Sequence, residues 1–215
     1  MCGRFAKADR EEGEAAAPDA APRGRWNIAP SALVEVIRKR PDTGALHRDL
    51  LQWGLVPRWT TSLAEARKPV NARAETVRTS GMFKDCFDRR RALVPMTAFY
   101  EWAGAKPPKQ PWAVARRDGE DMLVAAVWDG WRAPDGSILR TVATLTTTAN
   151  ATLLPIHPRM PVMIAAADVA TWLGDDIDAA AALMVPAPDD DLRAWPVSRA
   201  VNSVANDTPD LLRAV

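Results

Sequence analysis

The sequence predicts an α+β fold in which mostly antiparallel, mixed β-sheets have helices packed around them. Short runs rich in apolar and β-branched residues follow one another along most of the chain, separated by turn-forming Gly, Pro and Asp, as is typical of antiparallel strands. Helix-like segments are short and scattered between these runs instead of alternating regularly with them. A length of 215 residues fits one large domain, so we expect residues 1–215 to form a single domain.

The first half of the sequence contains a predicted β-hairpin. Residues 7–25 are rich in Ala, Pro, Glu and Asp without an apolar period, so we expect a loop there. The alternating run at residues 32–38 predicts a strand, residues 41–44 a turn, and residues 45–56 the returning strand. Later strands are expected at residues 92–95, 98–102, 112–116, 122–131, 138–147 and 192–201.

A helix is predicted near the middle of the chain, with Ser80 as its N-cap and Arg90 near its end. Its apolar face would carry Met82, Phe83, Cys86 and Phe87. Because Cys86 lies on that face, we expect it to be a core residue with an unreactive thiol. Two further short helices are expected at residues 168–173 and 179–184.

Composition limits the classes of protein to consider. Hydrophobic residues make up 47% and charged residues 26% of the chain, which predicts a folded, soluble globule. Two cysteines cannot form a disulfide framework, and no apolar run could span a bilayer, so we expect a cytoplasmic protein without membrane contacts. Two histidines and two cysteines without metal-ligand spacing predict no metal, and we expect no cofactor. A net charge of +1 still allows a local basic groove.

The sequence begins with Met1 and Cys2, which makes the cysteine chemically unusual. Its side chain is small, so we expect removal of Met1, after which Cys2 carries a free α-amine beside its thiol. An aldehyde condenses with such an amine to an imine, and the sulfur then closes a five-membered thiazolidine ring in an intramolecular step. Both groups are usable near neutral pH, since their ordinary pKa values are about 7.7–8.0 and ~8.5. The alternative is a cysteine of no function in a disordered terminus.

Three polar residues stand where their neighbours are apolar or turn-forming. Glu101 lies inside an apolar predicted strand, where a buried carboxylate suits a general acid; the alternative is an outward-facing residue or a salt bridge. His157 lies among stiffening prolines, and its imidazole can pass protons; the alternative is a structural histidine. Asn71 can donate and accept hydrogen bonds at Cys2; the alternative is a turn or cap residue.

Two arginines each follow a candidate site residue by two positions. Arg73 follows Asn71 and Arg159 follows His157, and side chains two apart on an extended segment point the same way. Each arginine would therefore flank the site and suit a phosphate group. The alternative for both is a surface salt bridge.

A set of short stretches carries a resemblance to a known family. In chain order they are MCGRF, RWNIAP, WGLVPRW, KPVNARAET, FKDCF followed by RRRALVP, FYEW, KQPW, IHPRMPV and VSRAVN. This ordered set resembles the SOS-response-associated peptidase (SRAP) family of abasic-site processing proteins, over nearly the whole chain. The resemblance implies a mixed α+β domain around antiparallel sheets, acting as a sensor and shield of abasic sites in single-stranded DNA.

The resemblance also implies a role for each candidate residue. Cys2 would form a thiazolidine crosslink with the ring-opened abasic sugar after removal of Met1, and Asn71 would position it. Glu101 would act as acid and base in imine formation and in removal of Met1. His157 would promote opening of the sugar and reversal of the linkage. DNA contacts would come from Arg4, Arg73, Arg159, Pro30, Trp59 and Met82. We expect a monomer whose partner is single-stranded DNA with abasic sites, and an amine of this kind can also act as a weak abasic-site lyase.

Two other functions stay open at this point. Cys2 could be the nucleophile of an N-terminal-nucleophile cysteine peptidase or amidohydrolase, with its own amine as the base. Alternatively, the chain could be a non-covalent nucleic-acid-binding module that retains Met1. Turnover of an added peptide would favour the first, and Met1 in the purified protein would favour the second.

Overall fold

A computed structural model describes residues 2–8, 24–40 and 42–215, and its sheet-rich α+β architecture confirms the predicted fold class. The strands are β1 (Phe5–Lys7), β2 (Arg25–Ile28), β3 (Leu33–Lys39), β4 (Leu46–Trp53), β5 (Asn71–Arg73), β6 (Arg91–Met96), β7 (Ala98–Ala103), β8 (Gln110–Arg116), β9 (Met122–Arg132), β10 (Ile138–Thr148), β11 (Arg159–Pro161) and β12 (Leu192–Pro196). The helices are α1 (Lys84–Arg89), α2 (Val169–Trp172) and α3 (Ile177–Ala182). Most of the predicted loop at residues 7–25, and the first residue of the predicted turn at 41–44, lie outside the described residues.

Five strands close into a barrel. Their order is β10, β4, β3, β6 and β9, and β9 pairs with β10 to complete the ring. Neighbouring strands are antiparallel except β4 and β10, which are parallel. The predicted hairpin is present as β3 and β4. Because side chains alternate along a strand, one set from all five strands fills the interior, including Val36, Leu51, Val94, Val124 and Val142.

A second sheet, in the order β12, β8, β7, β1 and β2, packs against the barrel. Six residues of this sheet or its flanks join the barrel core: Cys2, Phe5, Ile28, Phe99, Val114 and Leu192. The ring of Phe5 meets the ring of Trp53 edge to face, with 5.2 Å between centroids. This packing buries the segment that begins at Cys2 at the junction of the two sheets.

Helices cover the outer face of the barrel. Cys86 and Phe87 are buried there and Met82 and Phe83 partly so, which confirms the predicted apolar face and the core position of Cys86. The predicted N-cap is wrong. The helix begins at Lys84, because Met82 and Phe83 already pack on this core from the turn before it, and the Ser80 hydroxyl only accepts a hydrogen bond from the Met82 amide at 3.3 Å.

The last predicted strand is shorter than expected. β12 ends at Pro196, not at residue 201, because Ser198 caps a single turn of 3-10 helix at Arg199–Asn202. Four short strands, β1, β2, β5 and β11, have no counterpart in the sequence prediction. β5 and β11 have three residues each, too few to show an alternating pattern, and each forms by pairing with β10.

Candidate functional site

Cys2 lies just before β1 and is almost fully buried, with 2% of its surface exposed. Asn71 Nδ2 donates a hydrogen bond to the Cys2 carbonyl oxygen at 2.8 Å. Asn71 Oδ1 in turn accepts one from Thr144 Oγ1 at 2.6 Å, so the amide cannot turn round without losing both bonds. Asn71 and Thr144 face each other because β5 pairs in parallel with β10. The amide of Asn71 is therefore oriented to hold the main chain of Cys2.

Glu101 approaches Cys2 from the neighbouring strand. β7 pairs with β1, and the Tyr100 amide donates to the Arg4 carbonyl oxygen at 2.9 Å. Glu101 points to the opposite face of β7 from Tyr100, towards the barrel core, and is 4% exposed. Burial raises the pKa of the Cys2 thiol far above its ordinary value, and the Glu101 carboxylate raises it further. The buried thiol is therefore neutral, and the Glu101 carboxylate lies near enough to disfavour its ionisation.

His157 lies in the segment between β10 and β11. Its Nδ1 is 3.0 Å from the Arg159 amide nitrogen and 3.1 Å from the Arg159 carbonyl oxygen. β10 lies between β5, which carries Asn71, and β11, which begins at Arg159. The candidate histidine and the candidate asparagine thus flank the same end of β10.

The two arginines predicted to hold phosphates differ in their surroundings. Arg73 is exposed at the end of β5. Arg159 is engaged: its Nη1 and Nη2 pair with the two carboxylate oxygens of Glu75 at 2.5 and 2.9 Å, and Nη2 also donates to the Thr146 carbonyl oxygen at 2.6 Å. The side-chain hydrogen bond from Arg159 is the main reason why the pKa of the Glu75 carboxyl lies below its usual range, and the positive charge of Arg73 contributes. The salt-bridge alternative thus describes the observed state of Arg159.

Arg4 is built into the second sheet. Its Nη1 donates to Asn27 Oδ1 at 2.7 Å and to the Val201 carbonyl oxygen at 2.9 Å, and its guanidinium lies 6.0 Å from the ring centre of Trp102. Partial burial lowers the pKa of Arg4 from its ordinary value. Asn27 is itself buried and binds the carbonyl oxygens of Ser203 and Asn206 at 2.9 and 2.7 Å.

The three residues predicted to stack beside a lesion lie in different settings. Trp59 is 63% exposed and Pro30 is also exposed. Met82 is half-buried against the helical core on the outside of the barrel. Arg58, next to Trp59, is anchored by its main-chain and side-chain nitrogens to the buried carboxylate of Asp129 at 2.9 and 3.0 Å. That anchor holds an exposed indole at the protein surface.

A cavity of about 440 Å3 adjoins the strand that carries Glu101. Its walls include Ala103, two residues beyond Glu101, and Ile156, the residue before His157. Trp112, which pairs with Glu101 across β7 and β8, also lines it. The cavity therefore lies beside the candidate site, along the strand that carries Glu101.

Sequence reasoning missed three residues that organise the site: Glu75, Thr144 and Asn27. Glu75 follows Arg73 by two positions in the same polar stretch, a spacing that could have marked it. Thr144 gave no such signal because it lies in an ordinary strand pattern, and Asn27 gave none because nothing in the stretch RWNIAP marks its role.

In the described parts of the chain, no three His, Cys, Asp or Glu side chains cluster closely enough to hold a metal ion. Across the same residues, no helix is long and apolar enough to cross a membrane.

The fold and site define a sheet-rich domain in which a buried cysteine near the start of the chain is held by an amide and lies near a carboxylate, where a closed barrel joins a second sheet. The chain belongs to the SRAP family, because the family model described as SOS response associated peptidase (SRAP) matches residues 1–204.

Curated relatives of similar length carry a shared name. The chain is 31% identical over 235 residues to "Abasic site processing protein YedK" of Escherichia coli (strain K12), with 100% of each chain covered. It is 32% identical over 193 residues to "Abasic site processing protein YoqW" of Bacillus subtilis (strain 168), covering 88% of this chain and 85% of the relative.

Solved structures share the fold. A crystal structure of a protein from Bacteroides thetaiotaomicron has a TM-score of 0.79 at 22% identity, covering 88% of this chain and 85% of that one. A crystal structure of a protein from Bordetella bronchiseptica has a TM-score of 0.77 at 24% identity, covering 92% of this chain and 100% of that one.

Proposed function

We propose that this protein senses and shields abasic sites in single-stranded DNA by forming a covalent thiazolidine link through Cys2 after Met1 is removed. The observation that carries the proposal is the placement of Cys2, whose carbonyl is held by Asn71 and whose thiol lies near the buried Glu101. The names of the relatives, which describe abasic-site processing, support the same substrate.

The chemistry follows from the groups present. The freed α-amine of Cys2 attacks the aldehyde of the ring-opened sugar, and loss of one water gives an imine. The thiol then adds across the C=N bond, with sulfur bonding to carbon and the thiol proton passing to nitrogen. No oxidant, metal or leaving group other than water is needed, and the second step is intramolecular and therefore fast.

Glu101 suits the proton transfers in this sequence. Its carboxylate can take the proton of the Cys2 thiol as sulfur attacks and can deliver a proton to the departing water. A base is needed because burial keeps the thiol protonated near neutral pH. His157, at the edge of the site, would move the proton that opens the closed sugar to its aldehyde.

The surface around the site offers contacts to a strand without a complementary partner. Arg73 is exposed and can bind a phosphate, and the exposed rings of Trp59 and Pro30 can stack on neighbouring bases. Specificity would come from the aldehyde, since an intact nucleotide has no group with which the aminothiol reacts.

The test is crosslinking to a single-stranded oligonucleotide containing uracil, after uracil removal. The wild-type protein is expected to give a covalent band on a denaturing gel, Cys2→Ala to give none, and Glu101→Gln to react about 10²- to 10⁴-fold more slowly. Cys86→Ala is the matched control, because it removes the other cysteine, which lies in the outer core. An undiminished band with Cys2→Ala would reject the proposal. Intact mass reports whether Met1 is removed, and its retention would favour a non-covalent binding module.

The same arrangement also suits a second function, an N-terminal-nucleophile cysteine peptidase or amidohydrolase. A carboxylate near a buried cysteine could promote cleavage of the bond between Met1 and Cys2, which the first function requires. The two separate on substrate. Turnover of an added peptide without DNA would support the peptidase, and release of a nicked strand from the imine would reveal weak lyase activity.

A further inference from the structure

An ion pair crosses one end of β10. Glu75 lies just after β5 and reaches over β10 to Arg159, the first residue of β11. The contact is bidentate, at 2.5 and 2.9 Å, and the arginine side chain is only 17% exposed. Thr146, on β10 itself, accepts two more bonds from Arg159 Nη2, at 2.6 Å through its carbonyl and 3.2 Å through its hydroxyl. The guanidinium of Arg159 is thus held both by Thr146 on β10 and by Glu75, which follows β5 on the other side of β10.

The main chain of Arg159 holds the ring of His157. Its N–H lies 3.0 Å and its carbonyl oxygen 3.1 Å from His157 Nδ1. Nδ1 accepts from the N–H when the ring proton is on Nε2, and a proton on Nδ1 donates to the carbonyl when Nε2 is bare or when the ring is charged. His157 can therefore gain or lose a proton at Nε2 while Nδ1 keeps a hydrogen bond in every protonation state.

We propose that Glu75 is a positioning residue for His157, acting through Arg159. Its carboxylate fixes the guanidinium, the guanidinium fixes the start of β11, and the main chain there orients the imidazole. The inference rests on the function proposed above, in which His157 serves as acid when the sugar opens and as base when the linkage reverses. Such a residue needs a partner at Nδ1 that suits both forms, and the Arg159 main chain supplies it.

Arg159 thus has a positioning task in addition to any contact that it makes with a phosphate. Both terminal nitrogens of Arg159 already have protein acceptors. Arg73, in contrast, is exposed and lies on the same face of β5 as Asn71. A phosphate would have to displace Glu75 to reach the two terminal nitrogens of Arg159 in the same bidentate manner. DNA affinity and the rate of chemistry should therefore respond differently to loss of the Glu75 charge.

The test compares Glu75→Gln with Glu35→Gln. Glu35 forms an ion pair with Arg48 of the same 2.5 Å length on the barrel surface, so its variant has the same charge change away from the site. Glu75→Gln is expected to slow crosslinking at saturating lesion DNA about tenfold, less than the ~10²-fold cost of a 1 Å misplacement. The dissociation constant for intact single-stranded DNA is expected to change less than twofold, and Glu75→Asp to recover part of the rate.

An independent readout needs no DNA. The chain has only two histidines, so long-range proton–nitrogen NMR resolves both imidazoles, and His47→Gln assigns them. Glu75→Gln is expected to move the ring nitrogen shifts of His157 and leave those of His47 in place.

Two results would overturn the inference: unmoved His157 shifts, or weaker DNA binding with an unchanged saturated rate, which would mean that the ion pair serves DNA binding alone. If the wild-type protein forms no crosslink, the proposed function fails, and the NMR comparison still decides whether Glu75 orients His157.

Discussion

Replacing Asn71 tests how the reactive residue is held in place. Asn71→Ala removes the donor 2.8 Å from the Cys2 carbonyl oxygen and leaves that buried oxygen without this partner. Such a loss costs about 1–3 kcal/mol, which corresponds to a roughly 5- to 150-fold slower crosslinking rate if the held conformation is the reactive one. Thr144→Val removes only the bond that orients the amide, at 2.6 Å, and should cost roughly two- to tenfold.

Asn71→Asp makes the prediction sharper. The new side chain has the same shape, but it places a carboxylate oxygen against the Cys2 carbonyl oxygen, so repulsion replaces attraction. We therefore expect the order of rates to be wild type, Thr144→Val, Asn71→Ala and Asn71→Asp, from fastest to slowest. Acidification should bring the Asp variant closer to wild type, because a protonated carboxyl can donate again.

The assay is the initial rate of covalent adduct formation on an abasic oligonucleotide, with the melting temperature of each variant as a control for folding. The reasoning would be refuted if Asn71→Asp reacted as fast as the wild type, or if Thr144→Val were slower than Asn71→Ala. Equal rates for all four proteins would mean that the main-chain position of Cys2 does not limit the reaction.

Three further predictions follow from other parts of the structure. Trp59→Ala should leave the melting temperature unchanged, because the indole is 63% exposed. The same variant should bind a single-stranded oligonucleotide more weakly by about 1–3 kcal/mol in an anisotropy titration, and an unchanged affinity would contradict this prediction. Asn27→Ala should lower the free energy of unfolding, measured in urea, by about 2–3 kcal/mol, because the amide joins β2 to three carbonyl oxygens of the C-terminal segment. A loss below measurement error would show that other contacts hold this segment. Burial, more than the nearby Asp129, raises the pKa of the Cys86 thiol from an ordinary 9.0 to about 11. Between these values the unfolded chain has lost the proton and the folded chain keeps it, so stability falls as pH rises from about 9 to 11. Cys86→Ala should reduce that fall by up to about 3 kcal/mol, and parallel stability curves for the two proteins would refute the assignment.

Local pattern was enough to predict most of the strands and the packing face of α1. Burial alternates along the whole of β3 and along the second half of β4, and Met82, Phe83, Cys86 and Phe87 recur at helical spacing, so these elements carry their own signal. β5 and β11 carry none, because three residues become a strand only when β10 is beside them. The start of α1 was misplaced for a related reason, since packing of Phe83 on the outer core decides where the turn gives way to helix.

The sequence by itself determined which chemical groups are available. A cysteine directly after Met1, a carboxylate inside an apolar strand, and a histidine among prolines are all visible as residue types in local context. Only the tertiary structure decided which groups meet. Asn71 and Cys2 are 69 positions apart in the chain, and Glu75 and Arg159 are 84 apart. Contacts over such separations depend on how the barrel closes and which strands flank β10, and no short-range periodicity encodes them. For that reason Arg159 could be predicted as a residue near the site, while its ion pair with Glu75 could not.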